Sequence, residues 1–166
     1  MEVKYIMRLI INQKYFALRD RFMITHENGQ PAYAVEGKLF SIGKKFYIEE
    51  PCGREIFFVK QRLFRFLPKW DIIQNGDTVA VYKGKLSFLT KRAKIVSKSF
   101  GDITIKGSVL GWTFRFFDQS GNQIAEVSKK ILKIRDTYAL DIFDTRYADI
   151  IMTAVIIIDA LYHRGR

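Results

Sequence analysis

The sequence has few of the residues that build disulfides, metal sites and most catalytic centres. Its 166 residues include one cysteine and two histidines, so neither an internal disulfide nor a Cys/His zinc cluster can form. No G-x-S-x-G, H-E-x-x-H or D-x-D-x-D-G motif occurs, and "GKLFSIGKK" (37–45) departs from a phosphate loop in spacing and in its last residue. Cys52 and His26 fall in predicted turns, where a turn role explains them. These absences favour a non-enzymatic protein without cofactor or metal, in a reducing, cytoplasmic setting.

The sequence also lacks an apolar run long enough to cross a bilayer as a helix. Its most apolar segment is "IIMTAVIII" (150–158), bounded by Asp149 and Asp159, whereas a helical span needs about 20 residues. Near the N-terminus, the apolar runs of "MEVKYIMRLIINQK" are interrupted by charges at Lys4, Arg8 and Lys14. We therefore expect no secretory signal and no export.

The apolar segment is instead predicted to be a buried helix over about 145–163. No Pro or Gly interrupts this range, and Asp144 or Thr145 can provide the N-cap. A helix that is apolar on nearly all sides must be buried on nearly all sides. Asp159 and His163 are spaced i,i+4 and could pair, which makes a structural carboxylate the simpler explanation of Asp159.

Most of the remaining chain predicts consecutive β-hairpins. Short runs rich in aromatic and β-branched residues alternate with polar turns, as in "FMITHENGQPAYAV" (22–35) and "WDIIQNGDTVAV" (70–81). Glycines recur in these turns every 20 to 25 residues, at Gly29, Gly53, Gly76, Gly101 and Gly121. Residues two apart are predicted to face a common core, namely Phe46 and Ile48, Val79 and Val81, Ile103 and Ile105, Phe114 and Phe116, and Tyr138, Leu140 and Ile142.

About a dozen such strands would expose two sheet edges unless the meander closes into a barrel. A barrel of this size is too wide for strand side chains alone to fill, and the apolar helix supplies the missing interior. We therefore predict one domain over residues 1–166, mainly β, in which a closed barrel surrounds the C-terminal helix.

The charge is unevenly distributed as well as strongly positive. Twenty-eight Lys and Arg against 17 Asp and Glu give a formal charge of +11, which favours an anionic partner. The segment between Asp77 and Asp102 contains no carboxylate, and a second basic segment lies between Glu55 and Asp71. From these segments we select as candidate headgroup-binding residues Lys60, Arg62, Lys83, Lys85, Lys91, Arg92, Lys94 and Lys98. Four aromatic residues lie among these cations, namely Phe64, Phe66, Phe88 and Phe100. They either insert at a membrane interface or belong to the core, and we favour the core.

Several motifs in this order resemble the LURP-one-related family of the tubby C-terminal-like superfamily. They are the long segment "YFALRDRFMITHENGQPAYAVEGKLFSIGKKFYIEEPCGREIFFVKQRL" (15–63), "IAEVSKK" (124–130), "DTYALDI" (136–142) and the closing helix with "IID" (157–159). The resemblance implies a twelve-stranded barrel threaded by a hydrophobic C-terminal helix. It also implies kinship to tubby proteins, which bind phosphoinositide headgroups, and to phospholipid scramblases, although the cysteine-rich segment and acidic calcium loop of scramblases are absent here.

Three functional classes remain open on the sequence. The leading hypothesis is a binding module, cytoplasmic and peripheral to a membrane, whose basic surface recognises anionic phospholipid headgroups. Nucleic-acid binding through the same surface is less favoured, because no RNP-like or helix-turn-helix pattern accompanies the charge. In the third class the basic residues are simply a solvated face, and the domain is structural or binds a protein partner. The oligomeric state is not predicted.

Overall fold

The computed structural model describes residues 5–12, 21–38, 42–85, 90–108, 112–129 and 137–162. Within these ranges the chain forms twelve β-strands, a short 3₁₀ turn (Thr145–Tyr147) and one α-helix, α1 (Ala148–Tyr162). The strands are β1 (Met7–Asn12), β2 (Arg21–His26), β3 (Pro31–Lys38), β4 (Lys45–Glu49), β5 (Glu55–Gln61), β6 (Lys69–Gln74), β7 (Asp77–Lys85), β8 (Thr90–Val96), β9 (Ile103–Ser108), β10 (Thr113–Phe117), β11 (Gln123–Ser128) and β12 (Thr137–Ile142).

The twelve strands close into an antiparallel barrel. Each strand pairs with the next one in sequence, and β12 pairs with β1 in a register that runs from Met7 opposite Ile142 to Asn12 opposite Thr137. Closure leaves no free sheet edge. The predicted closed, twelve-stranded architecture is therefore confirmed.

Five short hairpin turns lie at the same end of the barrel, which we call the turn end. Their glycines, predicted from the repeat, all have positive φ angles, at Gly29, Gly53, Gly76, Gly101 and Gly121. Asn75 shares the positive φ of Gly76, as a tight two-residue hairpin requires. The opposite end, which we call the loop end, carries the β5–β6 connection (62–68) and Tyr162 at the end of α1.

The predicted inward faces are confirmed for β4, β9, β10 and β12, but that of β7 is wrong. Val79 and Val81 were expected to face the core, yet both are only partly buried. Ala80 and Tyr82 are buried in their place, with 2% and 1% of their surface exposed. Both faces of β7 carry apolar side chains, so the alternation did not determine which face is internal.

Helix α1 fills the barrel. Twelve of the thirteen residues from Ala148 to Ala160 are buried, and the exception is Asp149, which confirms a helix surrounded on nearly all sides. Asp144 is the N-cap of the preceding 3₁₀ turn, because its side chain accepts a hydrogen bond from the Arg146 backbone NH at 3.1 Å. No helix in the described ranges is long and apolar enough to cross a membrane.

Polar contacts fasten both ends of α1 to the barrel wall. At the turn end the Tyr33 hydroxyl donates to Asp149 at 2.6 Å, and at the loop end the Lys44 ammonium donates to the Ala160 carbonyl at 2.6 Å. A cation suits the C-terminal end of a helix. Within the barrel the Tyr138 hydroxyl donates to the buried Asp159 at 3.4 Å. The partner predicted for Asp159, His163, lies outside the described residues.

Candidate functional site

Cations from four neighbouring strands form a continuous positive surface on the outer wall of the barrel. Each one alternates with buried side chains and therefore points away from the core. We call this surface the basic face, and its members are Lys69 on β6, Lys83 and Lys85 on β7, Arg92 and Lys94 on β8, and Lys106 on β9.

The strand register arranges the basic face in two rows. In the first row Lys83 lies between Lys69 and Lys94. In the second, Arg92 lies between Lys85 and Lys106. Adjacent strands are about 4.8 Å apart, so each row places three positive charges along roughly 10 Å of surface. Both rows lie in the half of the barrel that is nearer the loop end.

The rows have an electrostatic cost that the surrounding residues offset only in part. Like charges directly opposite each other on a sheet are destabilising. Partial burial, followed by the positive charges of Lys83, Arg62 and Arg65, lowers the pKa of Lys69. Lys94 pairs with Asp102 at 2.9 Å, and the hydrogen bond from Lys94 lowers the pKa of Asp102. Among the described residues, no carboxylate forms an ion pair with any of the other five cations of the basic face.

Four of the eight candidate residues belong to this face, namely Lys83, Lys85, Arg92 and Lys94. Sequence reasoning missed Lys69 and Lys106, which complete the rows. Lys106 lies beyond Asp102, where the carboxylate-free stretch was taken to end, although its alternation with Ile103 and Ile105 could have placed it outside.

Lys60 and Arg62 lie beside the basic face and flank a carboxylate. Lys60 is on the outer side of β5, opposite Lys45 on one neighbour and Asp71 on the other. The Arg62 guanidinium donates two hydrogen bonds through Nε and Nη2 to Asp71 Oδ1, at 3.0 and 2.6 Å. Asp71 is 7% exposed, so its buried carboxylate needs a partner. Arg62 provides that partner and therefore has a structural role.

The last two candidates are separate from the basic face. Lys91 has the same parity as the buried Ala93 and Ile95, so it points into the loop end of the barrel, with its Nζ 3.4 Å from the centre of the Tyr162 ring. Burial lowers the pKa of Lys91. Lys98 is exposed in the β8–β9 turn, at the turn end.

The β5–β6 connection exposes aromatic side chains that were expected to be core. Phe64 and Phe66 are 102% and 90% exposed, so the expectation is wrong for both. Phe100 is partly buried against the core and contacts the Phe57 ring edge-on at 6.1 Å. Phe88 lies outside the described residues.

A pocket of about 440 Å³ lies at the turn end, and its lining includes His26, Tyr33, Cys52 and Asp149. Burial, with the hydrogen bond to Asp149, raises the pKa of Tyr33. The Cys52 thiol donates to Glu50 at 3.7 Å, whereas a catalytic thiol needs a basic partner. Among the described residues, no three His, Cys, Asp or Glu side chains cluster as a metal site would require.

Comparison with known proteins places this fold in a family. A model of the LURP-one-related family matches residues 7–159. The chain is 29% identical over 134 residues to "Uncharacterized protein YxjI" of Bacillus subtilis (strain 168), which covers 81% of this chain and 80% of that protein. The X-ray structure of the Arabidopsis thaliana protein AT5G01750 superposes with a TM-score of 0.65 at 18% identity, covering 95% of this chain and 91% of the other. The chain therefore belongs to the LURP-one-related family.

Proposed function

We propose that this protein is a non-enzymatic module that binds the anionic headgroups of a phospholipid membrane through the basic face. The observation that carries the proposal is the pair of cross-strand rows, in which five of six cations have no carboxylate partner among the described residues. Such rows reduce the stability of the sheet. A ligand that neutralises them gives a reason for their presence.

The strength of this surface suits reversible attachment to a membrane. A Lys or Arg near an anionic leaflet contributes about 1 kcal/mol. The five cations that have no carboxylate partner among the described residues would together supply about 5 kcal/mol. The barrel holds them on fixed backbone positions, and little order is lost in bringing them together. The kinship with tubby proteins that the sequence motifs imply is consistent with this ligand class. A position at the cytoplasmic face of a membrane, peripheral to the bilayer, follows from the same charge complementarity.

The test compares two pairs of charge reversals that change the net charge equally. K85E/R92E removes two cations of the basic face, and K98E/R54E removes two exposed cations at the turn end. Binding is measured by sedimentation with phosphatidylcholine vesicles that either contain or lack phosphatidylserine. We expect K85E/R92E to weaken binding to the anionic vesicles more than tenfold, since about 2 kcal/mol of attraction is lost and repulsion is added.

Three results of this experiment would contradict the proposal. The first is that the wild-type protein does not sediment with anionic vesicles at low salt. The second is that both reversals weaken binding equally, which would mean that only net charge matters. The third is that duplex or single-stranded nucleic acid, added at physiological salt, binds more tightly than the vesicles, which would favour nucleic acid as the ligand.

A further inference from the structure

The β5–β6 connection projects a short apolar segment into solvent. Every residue of this segment, Leu63–Leu67, is exposed, and four of the five are large and apolar. Phe64 and Phe66 are 102% and 90% exposed, and Leu63 and Leu67 are 44% and 37% exposed. Single apolar residues are common on protein surfaces, but contiguous groups of this kind mark sites of interaction. We call Leu63–Leu67 the apolar loop.

The backbone holds the apolar loop in its projecting position. The Arg62 NH donates to the Lys69 carbonyl at 2.8 Å, which closes the base of the loop, and the Gly84 NH donates to the Pro68 carbonyl at 2.8 Å, which fastens it to β7. At its tip, Phe64 has a φ of +56°, a conformation that is rare for a bulky residue and persists only where the surroundings impose it. Two backbone hydrogen bonds thus anchor the connection next to β6 and β7, and the phenylalanines project from it.

A second connection adds an apolar side chain beside the loop. Ile42, between β3 and β4, is 95% exposed. Its neighbour Gly43 lies against the apolar loop, because a Cβ built on Gly43 would be 3.5 Å from Cδ1 of Leu63. Ile42 and the apolar loop thus lie side by side at the loop end of the barrel.

Cations lie within and beside this apolar surface and connect it to the basic face. Arg65 is exposed within the loop, and Lys69 follows the loop after Pro68. Lys83 lies opposite Lys69, and Lys85 follows Gly84, whose NH donates to the carbonyl of Pro68 at the end of the same connection. Apolar side chains at a tip, with Lys and Arg next to them, are typical of segments that lie at the boundary between headgroups and acyl chains.

We propose that the apolar loop inserts into this boundary of an anionic bilayer, so that the barrel docks by its loop end. The inference rests on the function proposed above. It adds the orientation of the barrel on the membrane and the contribution of apolar side chains to binding. Phe64 and Phe66 enter the bilayer, Ile42 enters beside them, and the cations of the basic face that are nearest the loop contact the headgroups. The partner is a lipid bilayer because the apolar tip matches its acyl chains and the adjacent cations match its anionic headgroups.

The first test removes the apolar contribution and leaves every charge in place. F64S/F66S is compared with wild type and with I6S, whose Ile6 is 69% exposed at the opposite end of the barrel. We expect F64S/F66S to weaken binding to phosphatidylserine-containing vesicles by about tenfold or more for each phenylalanine. I6S should bind as wild type does. All three proteins should unfold at the same denaturant concentration, since the replaced side chains are exposed.

The second test measures how deeply the apolar loop enters the bilayer. A fluorophore is attached either to the native Cys52, which is exposed at the turn end, or to position 66 in C52S/F66C. Nitroxide-labelled lipids in the vesicles should quench the label at position 66 strongly and the label on Cys52 weakly.

The outcomes separate this inference from the function on which it rests. If wild type binds anionic vesicles but F64S/F66S binds equally well, and the label at position 66 is not quenched, the insertion is wrong and the headgroup-binding function stands. If wild type binds neutral and anionic vesicles equally and F64S/F66S binds neither, the insertion stands and the headgroup proposal is wrong. If wild type dimerises in the absence of lipid and F64S/F66S does not, the apolar loop is a contact between copies of this chain, and the insertion is overturned.

Discussion

Replacing either of two isoleucines on opposite sides of α1 should destabilise the protein to a similar extent. Successive residues of an α-helix are about 100° apart, so Ile156 and Ile158 project in nearly opposite directions. Both are buried, with 0% and 1% of their surface exposed. A helix packed on the surface of a sheet would bury one of the two and leave the other near solvent, whereas a helix inside a barrel buries both.

The expected magnitude follows from this burial. An Ile→Ala replacement in a packed core costs about 2–5 kcal/mol, against a total stability of about 5–15 kcal/mol for a typical domain. Ile156→Ala and Ile158→Ala should each lower the free energy of unfolding by about 2–5 kcal/mol and the melting temperature by about 5–20 °C. Ile6→Ala is the matched control, because the same atoms are removed from a side chain that is 69% exposed. It should change stability by less than about 0.5 kcal/mol.

Urea unfolding followed by circular dichroism measures all three variants. The slope of free energy against urea should stay the same while the midpoint falls, since the area exposed on unfolding is nearly unchanged. A cost below about 0.5 kcal/mol at either position 156 or position 158 would refute the burial of α1 on both sides. A cooperatively folded, monomeric chain of residues 1–144 would refute the requirement for the helix altogether.

The fold was predictable because its local signals agree with one another. Glycines such as Gly76 occupy turn positions with positive φ, and alternation placed the inner faces of four of the five strands for which residues were named. Closure followed from the need to cover sheet edges, and the helix followed from a segment too apolar for a surface and too short for a bilayer. The signal failed on β7, where Val79 and Val81 compete with Ala80 and Tyr82 for the core. Hydropathy does not distinguish these two faces, and their placement depends on packing across the barrel.

The candidate site was less predictable because it is defined across strands. Lys69 and Lys94 are far apart in sequence, and only the register of β6, β7 and β8 brings them to either side of Lys83. Counting cations along the chain instead included Lys91, whose parity with Ala93 places it inside the barrel. The exposure of the apolar loop has no local signal either. Phenylalanines between basic residues occur in half-buried strands as well as in projecting loops, and the hydrogen bonds that anchor this connection join it to β6 and to β7.

Three further perturbations examine contacts that support the barrel wall near the candidate site. Arg62→Gln should cost about 1–3 kcal/mol in urea unfolding, because it leaves the buried Asp71 carboxylate without its guanidinium partner, and unchanged stability would show that the pair contributes nothing. Gly107→Ala should cost about 1–3 kcal/mol, since a Cβ there would lie 2.3 Å from Cε1 of Phe114. Combining it with Phe114→Leu should cost less than the sum of the single changes if that crowding is the cause. Burial raises the pKa of the Tyr82 hydroxyl, so the folded protein keeps this proton above pH ~10 while the unfolded chain releases it. Below pH ~10 the Tyr82 hydroxyl is protonated in both states and does not change the free energy of unfolding. Above pH ~10 its ionisation in the unfolded chain lowers the free energy of unfolding by about 1.4 kcal/mol per pH unit. Tyr82→Phe should therefore make the free energy of unfolding fall less steeply with pH when it is measured between about pH 9 and 11. An unchanged dependence on pH would mean that Tyr82 ionises in the folded protein as readily as in the unfolded chain.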